Sequence, residues 1–228
     1  DDMILFVSGR CDIPAYFSNW FFNRLKEGYV DVRNPFNPHQ ISRIILNEAN
    51  IDVIIFCTKN PLPMLPRLKE IPFPYIFHVT LTGYHKDIEQ AVPDKKAIIE
   101  GIKKMSSQLG SKRVIVRYDP ILLNDVYTIE YHCRVFERLC KQLEGYVETV
   151  IISFVDMYKN MRKNMAKMKL QPLEEAQMKM IGKAFGEIAH KYHMHIQSCA
   201  EKVDLSMYGI EARPCMNMED ITQAIGYS

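Results

Sequence analysis

The chain has 228 residues, 47% hydrophobic and 25% charged, with a formal charge of +2. These are the values of a globular protein with a substantial core, and they exclude a broadly basic nucleic-acid surface. No apolar run approaches the roughly 20 residues that cross a bilayer, and DDMILFVSGR lacks the flank and cleavage site of a signal peptide, so a cytoplasmic protein with no membrane association is expected.

Ile4–Ser8 reads as the first strand and leads into Gly9-Arg10-Cys11-Asp12. Pro14 suits the first turn of a helix over Ala15–Lys26, capped from Asp12 or the residue after it and ended by Gly28, with Phe17, Trp20, Phe21 and Leu25 facing the core. Tyr29–Arg33 is a short second strand that closes on Asn34-Pro35-Phe36-Asn37-Pro38, and Gln40–Leu46 is ambiguous between helix and strand. Asp52–Cys57 is the third strand, followed by Thr58-Lys59-Asn60-Pro61. The fourth, Tyr75–Thr82, alternates with His78, Thr80 and Thr82 on an unusually polar face. Asp94 caps a helix over Lys95–Leu109, which Gly110 terminates.

In Lys112–Leu123 the run Val114-Ile115-Val116 is a fifth strand, and alternation puts Ile115, Arg117 and Asp119 on one face. That face changes from aliphatic to charged within three positions. A helix over Thr128–Leu143 follows, then a sixth strand, Glu148–Val155, ending at Ser153 and Asp156. A basic segment, Lys159–Leu170, precedes a long helix over Glu174–Tyr192. The seventh strand, His193–Cys199, runs into Glu201 and Lys202, and Met218–Ile225 is a short final helix.

Strands alternating with helices about seven times, with no linker, predict one α/β domain over residues 1–228. The first choice is a TIM-like (β/α) barrel, complete or partly open. A doubly wound open parallel sheet is the alternative, since no eighth strand is secure. In a barrel the polar residues at the strand ends converge on one rim. The candidate ligand-binding set is Ser8, Arg10, Asp12, Asn34, Thr58, Lys59, Asn60, Thr80, Thr82, Arg117, Ser153 and Lys202, with Asp119, Asp156 and Glu201 as candidate acid–base residues. His78 divides evenly between a hydrogen-bonded interior histidine and a ligand or base; His39, His85, His132, His190 and His193 read as surface or helix residues. The six cysteines, Cys11, Cys57, Cys133, Cys140, Cys199 and Cys215, contain no CxxC pair and are expected to be reduced thiols. The bland reading is that the rim groups pair among themselves, Arg117 with Asp119 or Glu201 and Arg10 with Asp12, as an inert polar layer.

Seven blocks carry a resemblance: Val7-Ser8-Gly9-Arg10-Cys11-Asp12-Ile13-Pro14-Ala15; Arg33-Asn34-Pro35 with Asn37-Pro38-His39-Gln40; Thr58-Lys59-Asn60-Pro61; Thr80-Leu81-Thr82-Gly83-Tyr84; Arg117-Tyr118-Asp119-Pro120; Ile152-Ser153-Phe154-Val155-Asp156; and Cys199-Ala200-Glu201-Lys202. In this order they resemble the bacterial family called domain of unknown function 1848, with Gly9 and Cys11 where the family usually has Arg and Thr. The resemblance implies a radical-SAM-like barrel. The family's C-terminal CxxxCxxC segment is similar to the motif that holds a [4Fe–4S] cluster for S-adenosylmethionine, and the chain ends at Tyr227-Ser228, about where it begins. Cluster and cosubstrate are therefore expected only with that segment, and no metal ligand is assigned within residues 1–228. The competing expectations are a metal-independent lyase or hydrolase, with Asp119 or Glu201 as acid–base and Arg117 or Lys202 stabilising an anion, and a non-catalytic barrel that binds a small polar or anionic ligand. The expected partner is a small-molecule substrate, with nucleic acid not indicated.

Overall fold

The computed structural model describes residues 3–8, 11–156, 169–199 and 203–214. Its β-branched and aromatic runs form a seven-stranded, wholly parallel sheet: β1 (Ile4–Val7), β4 (Val53–Thr58), β5 (Tyr75–Thr80), β6 (Val114–Ile121), β7 (Thr149–Phe154), β8 (His195–Cys199) and β9 (Ile210–Arg213), adjacent in that order. β2 (Tyr29–Arg33) and β3 (Ile41–Ile45) form a separate antiparallel hairpin. The expected second strand therefore does not join the main sheet, and the ambiguous segment after it is a strand. The seventh member of the sheet is β9, a stretch too short and polar to read as a strand beforehand.

Among the described residues the sheet is open and parallel, as the alternative expected, but its strand order never reverses, which corrects the double winding. Among the described residues β1 and β9 are edges that do not pair with each other, so no closed barrel is present. Right-handed crossovers that always step the same way place every helix on one face. Accordingly α2 (Ser18–Glu27), α3 (Lys95–Leu109), α4 (Ile129–Leu143) and α5 (Glu175–Lys191) join one core with the strand residues of alternate parity, among them Phe56, Phe77, Val116 and Ile152. Phe136 of α4 stacks on Phe185 of α5 at 4.0 Å between centroids, and burying each such ring contributes about 1.5–3 kcal/mol. Gly186 of α5 lies against the Tyr208 carbonyl so closely that a Cβ would collide with backbone, which fixes the approach of the segment leading into β9.

The helix ends follow the sequence. Asp94 Oδ1 accepts the Lys96 amide at 3.1 Å, Thr128 Oγ1 accepts that of Tyr131 at 3.1 Å, and Glu174 and Gln177 form a capping box. The first predicted helix is instead two, α1 (Ile13–Tyr16) and α2, broken at Phe17. That break turns Phe21 and Phe22 inward and leaves Phe17 and Trp20 exposed, against expectation. No described helix is long and apolar enough to cross a membrane.

Candidate functional site

The face of the sheet away from the helices changes character along its strands. Toward the N-terminal ends it is an apolar patch of Val53, Ile55 and Ile76, flanked by Ile4, Cys57 and Ile115. The next level pairs Cys57 with His78 and His78 with Ile115, and above it Thr80 is the neighbour of Arg117. β6 alternates as predicted: Val114, Val116 and Tyr118 are buried among the helices, while Ile115, Arg117 and Asp119 face the other way, partly accessible.

Arg117 donates to Asp119 Oδ2 twice, from Nε at 3.1 Å and from an Nη at 2.8 Å, and Ser153 Oγ donates to the same oxygen at 3.4 Å. The two charged side chains are only 16% and 15% exposed, so the pair is more strongly coupled than a surface one. Asp119 Oδ1 makes no hydrogen bond to any described residue. Burial pushes the Cys57 thiol up to about 11, opposed by the Arg117 charge and reinforced by those of Asp119 and Asp12, so it is protonated at neutral pH. Burial, then the Arg117 charge, pushes His78 down to about 3 and keeps its ring neutral. His78 Nδ1 and Ser8 Oγ are buried without a hydrogen-bond partner.

A second polar cluster surrounds the loops after β1, β4 and β5. Asp12 is the clamp: Oδ1 accepts from the Ala15 amide at 3.1 Å and the Thr58 hydroxyl at 2.7 Å, and Oδ2 from the Lys59 amide at 2.8 Å. Thr58 Oγ1 accepts the Asn60 amide at 2.9 Å, and Asn60 Oδ1 that of Leu62 at 3.1 Å. These bonds shape the turn, so Asp12 and Thr58 act in the structure as fasteners. Thr82 donates to the buried Glu89 carboxylate, whose Oε1 also takes Lys95 Nζ at 2.8 Å, and Lys59 Nζ stands 3.7 Å from Oε2. A cleft of about 550 Å³ opens here, with Asp12, Tyr16, Lys59, Asn60, Asp87 and Glu89 among its walls.

The predicted rim is thus divided. Ser8, Thr80, Arg117, Asp119 and Ser153 belong to the open sheet face, whereas Asp12, Thr58, Lys59, Asn60 and Thr82 belong to the loop cluster. Asn34 joins neither group: its side chain bonds Gln40 and the Phe36 amide across the tip of the β2–β3 hairpin. Asp156 is exposed, two residues past β7. Arg10, Glu201 and Lys202 lie outside the described residues, as does most of the basic segment Lys159–Leu170. Cys199 is disulfide-bonded, against the expectation of reduced thiols throughout, while Cys11, Cys57, Cys133 and Cys140 are free. His132, read as a surface or helix residue, lies on α4 and is fully buried, with Nδ1 2.7 Å from the Tyr118 hydroxyl and Nε2 2.7 Å from the Leu122 carbonyl oxygen. Glu89 and Lys95 escaped sequence reading because they sit in a loop and on the first turn of a helix, where charge is ordinary. Only the oddity of a polar Thr82 ending a buried strand hinted at a partner.

The family model described as "Domain of unknown function (DUF1848)" matches residues 4–228. The chain belongs to this family. No curated protein matches it. Among solved structures, a chain from Bacteroides thetaiotaomicron described as a "putative alpha-L-fucosidase" is similar at 11% identity and a TM-score of 0.36, over 100% of this chain and 85% of that one.

Proposed function

We propose that this family member is an acid–base enzyme acting on a small polar ligand held against the open sheet face, with Asp119 as the reacting carboxylate. The observation that carries this reading is the one-sided fastening of Asp119. Two guanidinium bonds and Ser153 hold Oδ2, while Oδ1 makes no hydrogen bond to a described residue. A general base needs an oriented carboxylate with a free lone pair, and the apolar floor beneath it lowers the local dielectric. Arg117 fixes the carboxylate and offers positive charge to an anion developing beside it. The residue types serve a lyase or hydrolase reaction equally. Replacing Arg117 by Met is expected to weaken ligand binding more than tenfold while the protein still folds. Unchanged affinity, or wholesale unfolding, would mean the pair is a structural tie.

A second reading keeps the radical-SAM-like chemistry that the resemblance implies. It is favoured by strand order, since seven parallel strands in chain order bring all their C-terminal ends to one rim. The described cysteines fall short of the three thiolates a cluster needs: Cys57 is a high-pKa thiol, Cys133 and Cys140 lie within α4, Cys199 is in a disulfide, and the exposed Cys11 is left alone. On this reading the ligands come from the C-terminal segment that the resemblance implies. Under anaerobic reconstitution residues 1–228 are then expected to bind no iron, and a protein extended by a CxxxCxxC segment about one four-iron cluster. Cluster assembly by residues 1–228 that is lost on replacing Cys57 would overturn this reading.

A further inference from the structure

The deeper level of the same face holds two polar groups that the protein itself leaves unsatisfied. Ser8 directly follows β1, and His78 lies in β5, aimed away from the helices by strand parity with Cys57 and Ile115 as its cross-strand neighbours. The His78 side chain is almost wholly buried, yet Nδ1 has no partner, and neither does Ser8 Oγ. Each orphan lowers stability where an apolar group would not, and such groups persist where a ligand or water completes them. Ser8 also holds φ at 105°, in the region that favours glycine, and strain of that kind collects at functional sites.

Among the described residues the charges on this face come in pairs. Arg117 is paired with Asp119, and farther along Arg213 Nε meets Glu211 Oε2 at 2.6 Å. Cys57 and His78 are both neutral at pH 7. Resting on the reading of Asp119 as a ligand-facing acceptor, we infer that the face binds an uncharged polyhydroxy compound, a polyol or aldose of five or six carbons. One of its hydroxyls donates to Asp119 Oδ1, and an oxygen at its far end meets His78 and Ser8. A hydroxyl both donates and accepts, as do a neutral imidazole and a serine, so the match needs no charge on either side. Thr80, between the two levels, offers a hydroxyl to the middle of the chain.

Length sets the class further. His78 is level with Ile115, and Asp119 lies four residues beyond, about 13 Å between Cα levels at ~3.3 Å per residue. An extended six-carbon polyol of about 8–9 Å between its terminal oxygens, with a hydrogen bond of about 2.8 Å at each end, spans that gap. A three-carbon polyol does not.

The test is isothermal titration of residues 1–228 with ribitol, xylitol, sorbitol, xylose and glucose, and with succinate and inorganic phosphate for comparison. At least one of the five uncharged compounds is expected to bind. His78→Met should weaken that binding at least tenfold while raising the melting temperature of the ligand-free protein by about 2–4 °C, because an orphan polar group is removed. Should His78→Met fail to fold, Ser8→Ala and His78→Asn carry the same comparison. Absence of binding by all five, or binding untouched by these variants, overturns the inference. If only succinate or phosphate binds, and Arg117→Met abolishes it, the ligand site survives and the polyol class falls. If nothing binds, both fall together.

Discussion

Acid should destabilise this protein through His78 before its carboxylates titrate. In the unfolded chain the imidazole protonates near 6.5, whereas in the fold burial and the Arg117 charge hold it to about 3. Above pH 6.5 both states are neutral and the residue is silent. Below it the unfolded chain binds a proton that the folded one refuses, so stability falls as pH falls through the window from 6.5 toward 3. At pH 5.0 the gap of about 1.5 units corresponds to roughly 2 kcal/mol. His132, whose pKa is also lowered by burial against the opposing Leu122 carbonyl bond, adds in the same direction. Urea denaturation of the wild type and of His78→Met at pH 7.5, 6.5, 5.5 and 5.0 isolates the His78 share. The difference between the two should grow by about 2 kcal/mol from pH 7.5 to 5.0, always against the wild type. Parallel pH profiles would show that the imidazole takes up its proton in the fold, by local opening or an internal acceptor, and the neutral-ring reasoning would fail with it.

Replacing Lys95 by Met leaves the buried Glu89 with the Thr82 hydroxyl and a more distant cation, Lys59 at 3.7 Å, and stability should drop by about 2–3 kcal/mol, or about 5–10 °C in thermal unfolding. Glu89→Gln, which keeps an acceptor for Thr82, should cost less; equal melting temperatures for wild type and Lys95→Met would refute the network. Gly186→Ala drives a methyl into the Tyr208 backbone and should cost about 1–3 kcal/mol by urea titration, with a midpoint unchanged if the segment can slide. Iodoacetamide at pH 7.5 should modify the exposed Cys11 long before Cys57, whose pKa of about 11 leaves it roughly 100-fold less thiolate than an ordinary cysteine; comparable peptide labelling rates would count against it.

Periodicity made some elements legible and hid others. The helices over Lys95–Leu109 and Ile129–Leu143 and the strand over Tyr75–Thr80 are long enough for their repeats to stand alone, and their caps are explicit. β9, with the four residues Ile-Glu-Ala-Arg, has one buried side chain and takes its place only through pairing with β8. The β2–β3 hairpin leaves the sheet because the tip over Asn34–Gln40 folds the chain straight back on itself. At the site, the alternation of β6 foretold that Arg117 and Asp119 share a face, and β-strand geometry then makes their pairing nearly inevitable. The roles of Asp12 and Thr58 were not legible, because a carboxylate that fastens a turn and one that binds a ligand are the same residue type, told apart only by where their hydrogen bonds go. Polarity at a strand end was the shared signal, and it mixed the two.

Strand order decides which side of the sheet can hold chemistry. Because each crossover steps in the same direction, the helices bury one face completely, and its strand residues stay apolar from end to end: Phe56, Phe77, Val116, Ile152. Among the described residues the other face receives no helix, and its composition is graded. Ile55 and Ile76 give way to Cys57 and His78, then to Thr80 and Arg117, then to Asp119 and Ser153. Apolar packing alone would favour continuing the aliphatic rows to the rim, since buried polar groups gain nothing over well-packed hydrophobes unless satisfied. The gradient therefore runs against stability in its upper half. The Arg117–Asp119 pair within it spends a single carboxylate oxygen, and what it leaves over is the acceptor and the two orphan groups that a ligand would complete.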